Sequence, residues 1–364
     1  MDKLRVGLLF GGRSAEHEVS LASASSILAA LDPTRYDVSL IAVDHDGLWH
    51  LGAPSLPLVD AVEGCEVNLQ TSPNLHTLVS IGGSPGAEAG RDLDVIFPVV
   101  HGRGGEDGSL QGMLELAGVP YVGSGILGSA LQMDKEVSKR LLRAADLPVT
   151  EWALVRADRL RADPEGEATR VLSEIGLPLF VKPANQGSSV GIARVDEPGE
   201  LMPALRDAAR YDTKILAERA VDAREIEVAL LGTDPIEASV PGEIRTERRF
   251  YDYEAKYLDE TTELLVPAPL DEAQTRELQE IAIAAVRALE GEALARVDFL
   301  MDRETGEIFI NEVNSIPGFT ESSMYPRLWE ATGVGYPALL DRLIELALER
   351  HRMNSTLETS YRRS

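Results

Sequence analysis

The sequence predicts an α/β fold whose N-terminal part is an open, mostly parallel sheet, and three observations lead there. Short apolar runs alternate with helix-length stretches from residue 1 to about 125, the order produced when strands and helices take turns. The first apolar run, Val6–Phe10, passes straight into a glycine turn at Gly11-Gly12, as a strand feeding a helix does. Hydrophobic residues make up 44% and charged residues 26% of a 364-residue chain, the composition of a globular protein with two or three domains, each with its own core.

Leu4–Phe10, Val38–Val43 and Val95–Val100 are expected as strands, and Val19–Leu31 and Gly108–Ala117 as helices. Residues 50–92 hold Cys65 and a Gly-Gly-Ser-Pro-Gly run and read as an insertion or variable loop region. A first unit therefore covers residues 1–132. A second, 133–221, has a helix over Lys135–Ala145, a strand over Leu179–Lys182, and a glycine-rich loop over Asn185–Gly191. A helix near Glu197–Arg210 and a strand over Ile215–Ala220 follow. A third unit, 222–350, contains strands, a polar irregular stretch from Gly242 to Thr262 and a long helix over Asp271–Leu289. A hairpin then precedes an amphipathic helix over Tyr336–Glu349. The polar tail, 351–364, has no apolar period and is expected to be disordered.

Composition excludes several function classes. No apolar run approaches the length of a membrane span, and the first strand is too short for a signal peptide's apolar core. The single cysteine rules out an internal disulfide framework, fits a reducing cytoplasm, and with no Cys/His cluster makes zinc a poor expectation. A formal net charge of −25 argues against a nucleic-acid or anionic-membrane partner. A chain this acidic that binds a polyphosphate must gather its few cations locally and recruit metal ions.

The most informative segment is Arg296–Asn314. Residues two apart on a strand share a face, so Arg296 and Asp298 point one way on the first strand of the hairpin, and Glu312 and Asn314 on the second. A loop near 303–307 puts Asp298 opposite Glu312 and Arg296 opposite Asn314. Three oxygen ligands then converge beside one guanidinium, which suits Mg2+ held against a nucleotide. A solvated strand face with cross-strand charge pairs would carry the same residues.

Phe180-Val181-Lys182-Pro183 ends a β-run with a lysine, and Asn185–Gly191 follows it. Neither a Walker A loop nor a dinucleotide fingerprint is present. Glycines and small hydroxyls nevertheless let backbone N–H groups approach phosphate oxygens, with the lysine as point charge; the alternative is a hairpin turn with a snorkelling lysine. Ile215–Glu227 offers Glu218, Val221 and Glu225 near a strand end, as partners for an adenine and a ribose or as ordinary solvated charges. Gly11–Ser20 carries Glu16 at a strand-to-helix turn, where a carboxylate suits an ammonium-bearing substrate or simply the first turn of a helix. His101–Gly108 has the same strand-to-helix placement, and its glycines also fit plain turn chemistry. Phe250–Tyr257 is aromatic-rich inside a polar loop, as a lid or as a loop packed on a helix.

Taken together, the segments GGRSAEHEVS, HGRGGEDGSLQG, MDKEVSK, FVKPANQGSSVG, FYDYEAKY, ARVDFLM and INEVNSIPGFTESS resemble, in order and over nearly the whole chain, the D-alanine–D-alanine ligases of the ATP-grasp fold. The resemblance implies a three-domain ATP-grasp architecture, α+β in its ATP-grasp part, with ATP between the central and C-terminal domains. It implies that Lys135 and Lys182 neutralise phosphates under the Ser188, Ser189–Gly191 loop, with Lys256 at the γ-phosphate. Glu218 and Val221 would meet the adenine and Glu225 the ribose. Asp298, Glu312 and Asn314 would hold two Mg2+ ions, replaceable by Mn2+, and some members respond to K+. Glu16 with His101 nearby would bind the first D-alanine, and Ser323 with Met324 the second. Arg296 and the N–H of Gly318 would face the developing oxyanion, and Ser188 and Tyr257 would link to Glu16 and shut the lid. Tyr257 favours an amine nucleophile over D-lactate; a D-lactate or D-serine product is the alternative. A cytoplasmic homodimer acting on D-alanine and ATP for peptidoglycan synthesis is the implied whole.

Overall fold

The computed structural model describes residues 3–52, 65–72, 76–81, 91–245 and 263–358, and three sheets organise them. The first contains β1 (Leu4–Gly11), β2 (Tyr36–Val43), β3 (Trp49–Gly52), β4 (Cys65–Leu69), β5 (Thr77–Ser80), β6 (Arg91–Asp92) and β7 (Val95–Pro98), in the order β6-β5-β4-β3-β2-β1-β7. β1 pairs in parallel with both β2 and β7. From Val6 onward every residue of β1 is buried, as expected of a parallel strand covered on both faces. Three helices belong to this part of the chain, α1 (His17–Ala30), α2 (Ser109–Ala117) and α3 (Ile126–Met133); α4 (Lys135–Ala144) follows, with its Leu142 in the core of the third sheet.

The α/β class holds, but the 50–92 region is not only loop. Its described residues form β3 to β6, which extend the sheet in antiparallel fashion from the β2 edge. Among the described strands of this sheet, parallel pairing is therefore confined to β2-β1-β7. The short strands lack the long apolar runs that mark buried parallel strands, which is why they are hard to see in the sequence.

The second sheet is antiparallel, built from β8 (Trp152–Arg156), β9 (Leu179–Pro183), β10 (Ala193–Val195) and β11 (Lys214–Arg219) in the order β10-β9-β11-β8. With it go α5 (Ala157–Ala162), α6 (Pro164–Glu174) and α7 (Pro198–Ala208). Leu160, Val171, Leu201 and Leu205 of these helices bury against Val155, Val181 and Ile215 of the strands. Asp163 and Glu197 start α6 and α7 by accepting from backbone N–H groups of the first turn, with proline at the first helical position of each.

The third sheet contains β12 (Ala223–Leu231), β13 (Glu237–Ala238), β14 (Gly242–Arg245), β15 (Glu263–Leu265), β16 (Leu294–Asp302) and β17 (Ile308–Asn314), with β12 and β17 flanking β16. Gly242–Arg245, expected as irregular, is a strand; residues 246–262 lie outside the described part. α8 (Glu272–Ala288) covers this sheet with Leu278, Ala282, Ala285 and Val286, and an Asp271–Gln274 capping box fixes its start.

The chain closes with α9 (Met324–Thr332) and α10 (Tyr336–Ser355). Their Tyr325, Trp329 and Leu340 share one core with Phe10 and Phe97 of the first sheet, so the end of the chain packs back on its beginning. Tyr36 donates its hydroxyl to Asp341 at 2.6 Å, and Arg350 donates to the Tyr121 carbonyl at 2.9 Å. α10 also continues into residues expected to belong to a disordered tail, since Arg352–Ser355 are helical. Among the described residues, no helix is long and apolar enough to cross a membrane.

Candidate active site

The site begins with the β16–β17 hairpin. Its observed register pairs Arg296 with Asn314 and Asp298 with Glu312, as the two-residue spacing predicts, with a register shift just beyond Asp298. Arg296 donates to both oxygens of Asp298, at 2.6 and 2.7 Å, and Asn314 donates its amide to the same carboxylate at 2.9 Å. β12 adds Glu227, directly across from Asp298 in the ladder, whose carboxylate lies 3.0 Å from Arg296. Burial would lower the Arg296 pKa, but Asp298 and Glu227 hold the guanidinium well above its ordinary value. The charge is therefore permanent and aimed by two acids.

β9 and β11 bring the lysines. Lys182 lies 3.1 Å from Glu218 and donates to Asn311 of β17 at 3.0 Å, tying the second sheet to the third. Glu218 also receives Lys139 of α4 at 2.9 Å and the Thr150 hydroxyl. Burial alone would raise this carboxyl, yet Lys139 and Lys182 pull it down to about 2. Lys139 itself is lowered by burial, against the pull of Glu218. Lys135 spans the gap between sheets: it lies 3.1 Å from Glu312 and donates to the Gln186 carbonyl at 2.9 Å. Lys135, Lys182, Glu218 and Glu312 line a cleft of about 780 Å3 that also receives Val221, Glu225 and Asp298.

A second cleft, of about 620 Å3, adjoins the first and shares Lys135, Gly187, Ser188 and Glu312 with it. Ser188 donates its hydroxyl to Glu16 at the boundary. Ser188 and Ser189 adopt left-handed backbone angles, φ 47° and 60°, which are uncommon for residues with a side chain and cluster at functional loops. Glu16 fits because two glycines make room. A Cβ on Gly187 would come within 2.5 Å of a Glu16 oxygen, and one on Gly102 within 2.8 Å. Glycine density in both loops is thus close approach to a carboxylate rather than turn chemistry alone.

His101 is buried beside Glu16 and bonds the Ile316 carbonyl through Nδ1 at 3.0 Å. Burial lowers its pKa against the opposing influence of the Glu16 charge, so the neutral ring donates from Nδ1. Glu106, deep in the same cleft, is pushed up to about 8 by desolvation and by Glu16, against three hydrogen bonds that favour its anion. Gly318, Arg296, Ser323 and Met324 complete the lining. Ser323 precedes α9 and accepts from the Thr320 N–H at 3.1 Å.

Sequence reasoning thus placed Glu16, His101, Lys135, Lys182, Ser188, Ser189, Glu218, Val221, Glu225, Arg296, Asp298, Glu312, Asn314, Gly318, Ser323 and Met324 around two adjoining clefts. Lys256 and Tyr257 lie outside the described residues. It overlooked Lys139, Thr150 and Glu227, whose importance comes from partners 68 to 79 residues away or on a neighbouring strand. The side chains of Asp298, Glu312 and Asn314 fit a magnesium ion by donor chemistry. All three are hard oxygen donors on one face, with no sulfur or imidazole among them, beside a cleft large enough for phosphates.

Comparison with known proteins follows the same outline. Residues 5–124 match the family described as D-ala D-ala ligase N-terminus, and residues 141–345 the one described as D-ala D-ala ligase C-terminus. A D-alanine--D-alanine ligase of Shouchella clausii is 48% identical over 99% of both chains. One from Heliobacterium modesticaldum is 46% identical over 97% of this chain and 96% of its own. Among solved structures, the D-alanine-D-alanine ligase from Coxiella burnetii is 36% identical and superposes with a TM-score of 0.85 over 98% of this chain and 97% of its own. The VanG D-Ala:D-Ser ligase from Enterococcus faecalis is 32% identical with the same TM-score, 0.85, over 95% of this chain and 100% of its own.

Proposed function

The chain belongs to the D-alanine–D-alanine ligase family, and we propose on that premise that it joins two D-alanines into D-alanyl-D-alanine, using ATP and releasing ADP and phosphate. The product serves peptidoglycan precursor synthesis in the cytoplasm. The observation that carries the reading is the Ser188–Glu16 hydrogen bond where the two clefts meet, because it puts a small-hydroxyl loop suited to phosphate against a carboxylate suited to an ammonium.

In this reading Lys135 and Lys182 hold the phosphates in the larger cleft, Glu218 and Val221 face the adenine, and Glu225 faces the ribose. Glu218 acts there chiefly by fixing Lys139 and Lys182, since both of its oxygens are engaged by lysines. Glu16 holds the ammonium of the first D-alanine, with neutral His101 beside it. The carboxylate of that D-alanine takes the γ-phosphoryl group, giving an acyl phosphate and ADP. Ser323 and the Met324 backbone hold the carboxylate of the second D-alanine, whose amine attacks the acyl carbon; phosphate leaves and the nitrogen loses a proton. Arg296 and the Gly318 N–H stabilise the oxyanion formed on the way. The protein contributes alignment and charge neutralisation rather than a covalent intermediate of its own. Lys256 would reach the γ-phosphate, and Tyr257, linked with Ser188 to Glu16, would close the site against water, which otherwise hydrolyses the acyl phosphate.

A divalent metal, when bound by Asp298, Glu312 and Asn314, neutralises phosphate charge. We extend the reading to two Mg2+ ions, replaceable by Mn2+, to stimulation by K+, to domains at 1–132, 133–221 and 222–350, and to a homodimer; metal titration and sedimentation test these. The principal test is phosphate release from ATP across a panel of D-amino acids and D-hydroxy acids, with the products identified. D-alanyl-D-alanine should dominate at neutral pH. Predominance of the D-lactate ester or of D-alanyl-D-serine would overturn the choice of second substrate.

A further inference from the structure

The segment from Ser315 to Phe319, which carries Gly318, is fastened to the N-terminal part of the chain by a polar network whose hub has no role in the reaction described above. Glu106 is its hub. One of its oxygens accepts from the Ile316 N–H at 3.0 Å and the Ser315 hydroxyl at 3.3 Å, and the other accepts from the Gly102 N–H at 2.6 Å. His101 donates to the Ile316 carbonyl at 3.0 Å, and Ser23, fully buried in α1, accepts from the Phe319 N–H at 3.1 Å. From His101 the network returns to Glu16, because the His101 carbonyl accepts from the Ser14 hydroxyl at 2.7 Å and Ser14 accepts from the Glu16 N–H at 3.2 Å. Gly105 permits the arrangement: a Cβ there would meet the Val100 carbonyl oxygen at 1.9 Å, so the tight turn that presents Glu106 tolerates no side chain before it.

We propose that Glu106 is a positioning residue that sets the spacing between the Glu16 carboxylate and the Gly318 N–H, and so between the two ends of the first amino-acid substrate. One Glu106 oxygen holds the strand-to-turn segment that presents Gly318. The other holds Gly102, whose backbone packs against Glu16 closely enough to exclude a Cβ. A carboxyl group is suited to the task, since its two oxygens can accept several N–H and O–H donors at once. Glu106 touches neither the reacting atoms nor the phosphates in this assignment. The inference rests on the ligase reading, because only there do Glu16 and Gly318 grip the same molecule.

The test compares wild type with Glu106→Gln, Glu106→Ala, Ser23→Ala and the Glu106→Ala/Ser23→Ala double variant, following dipeptide formation from D-alanine and ATP. Glu106→Ala should lower kcat on the order of 100-fold, the cost expected when reacting groups are misplaced by about 1 Å. Its KM for ATP should stay within about twofold of wild type, because the larger cleft does not depend on this network. Glu106→Gln should recover part of the loss, since its amide carbonyl still accepts from Ile316 while its NH2 faces the Gly102 N–H unfavourably. Ser23→Ala should lower kcat less, and the double variant should lose less than the product of the two single losses, because both residues hold one segment. Wild-type-like kcat in Glu106→Ala, or losses that multiply independently, would overturn the positioning role. If Glu106→Ala does not fold, Glu106→Gln and Ser23→Ala carry the same test through their kcat and ATP KM. Failure of the wild-type protein itself to make dipeptide would instead refute the ligase reading.

Discussion

The two clefts solve opposite electrostatic problems. Around the larger one, lysines and carboxylates compensate each other: Lys139 and Lys182 against Glu218, and Lys135 against Glu312. In the smaller one, Arg296 is cancelled by Asp298 and Glu227, whereas Glu16 and Glu106 are held by hydroxyl and N–H donors, and among the described residues no cation pairs with either. A cleft whose lysines and carboxylates are already paired keeps its cations in place before a polyphosphate arrives, within a chain of net charge −25 that would otherwise repel one. A cleft that leaves Glu16 without counter-charge among its described residues suits a cationic group. The difference teaches that substrate charge can be read from what each site leaves uncompensated, rather than from the sign of its residues.

The contrast can be broken most forcefully at the hairpin. Asp298→Asn removes one charge from the oxygen face while keeping its shape, and metal-dependent ADP formation should fall roughly 1,000-fold, since a bound metal supplies several kcal/mol of charge stabilisation. Circular dichroism should be unchanged. Near-normal turnover would mean that the face is an ordinary strand surface with cross-strand pairs.

Glu218→Gln tests the compensation itself. It leaves Lys139 buried without its anion, so stability should drop by about 3 to 5 kcal/mol in a denaturant titration. The pH response carries the sign of the depressed carboxyl. Folding lowers the Glu218 pKa from its ordinary 4.5 to about 2, so its stabilisation is complete above about pH 4.5 and is lost as the pH falls toward 2. The wild-type unfolding midpoint should accordingly fall more steeply between about pH 4.5 and 3 than that of Glu218→Gln. Parallel slopes would show that the cluster contributes nothing in that window.

The smaller effect sharpens the other side. Glu16→Gln keeps the hydrogen bond from Ser188 but removes the negative charge, and the KM for the first D-alanine should rise roughly 10- to 100-fold while the KM for ATP changes little. An equal rise for both substrates would erase the distinction between the clefts.

How much of this was legible in the sequence depends on where the partners lie. The hairpin was read almost completely, because strand periodicity and one short loop put Arg296, Asp298, Glu312 and Asn314 on one face with no need of the rest of the chain. β1, β2, β7, α4 and α8 were legible for the same local reason. The edge strands β3 to β6 were not, since short strands of mixed polarity lack a period long enough to register. Resemblance supplied the remaining site residues, and without it Glu16, His101 and Ser323 would each have kept an ordinary turn or capping explanation.

From the sequence alone came everything that depends on alternation, spacing and composition: the fold class, the oxygen-rich hairpin face, and an acidic chain obliged to concentrate its cations. Tertiary structure alone decided which charges are cancelled and which are left open. Lys139 reaches Glu218 across 79 residues, and Glu106 reaches Ile316 across 210. The reason is physical. Periodicity orients a side chain relative to its own element, whereas the energy of a buried charge depends on the distance to partners and on the exclusion of water, and packing between elements sets both.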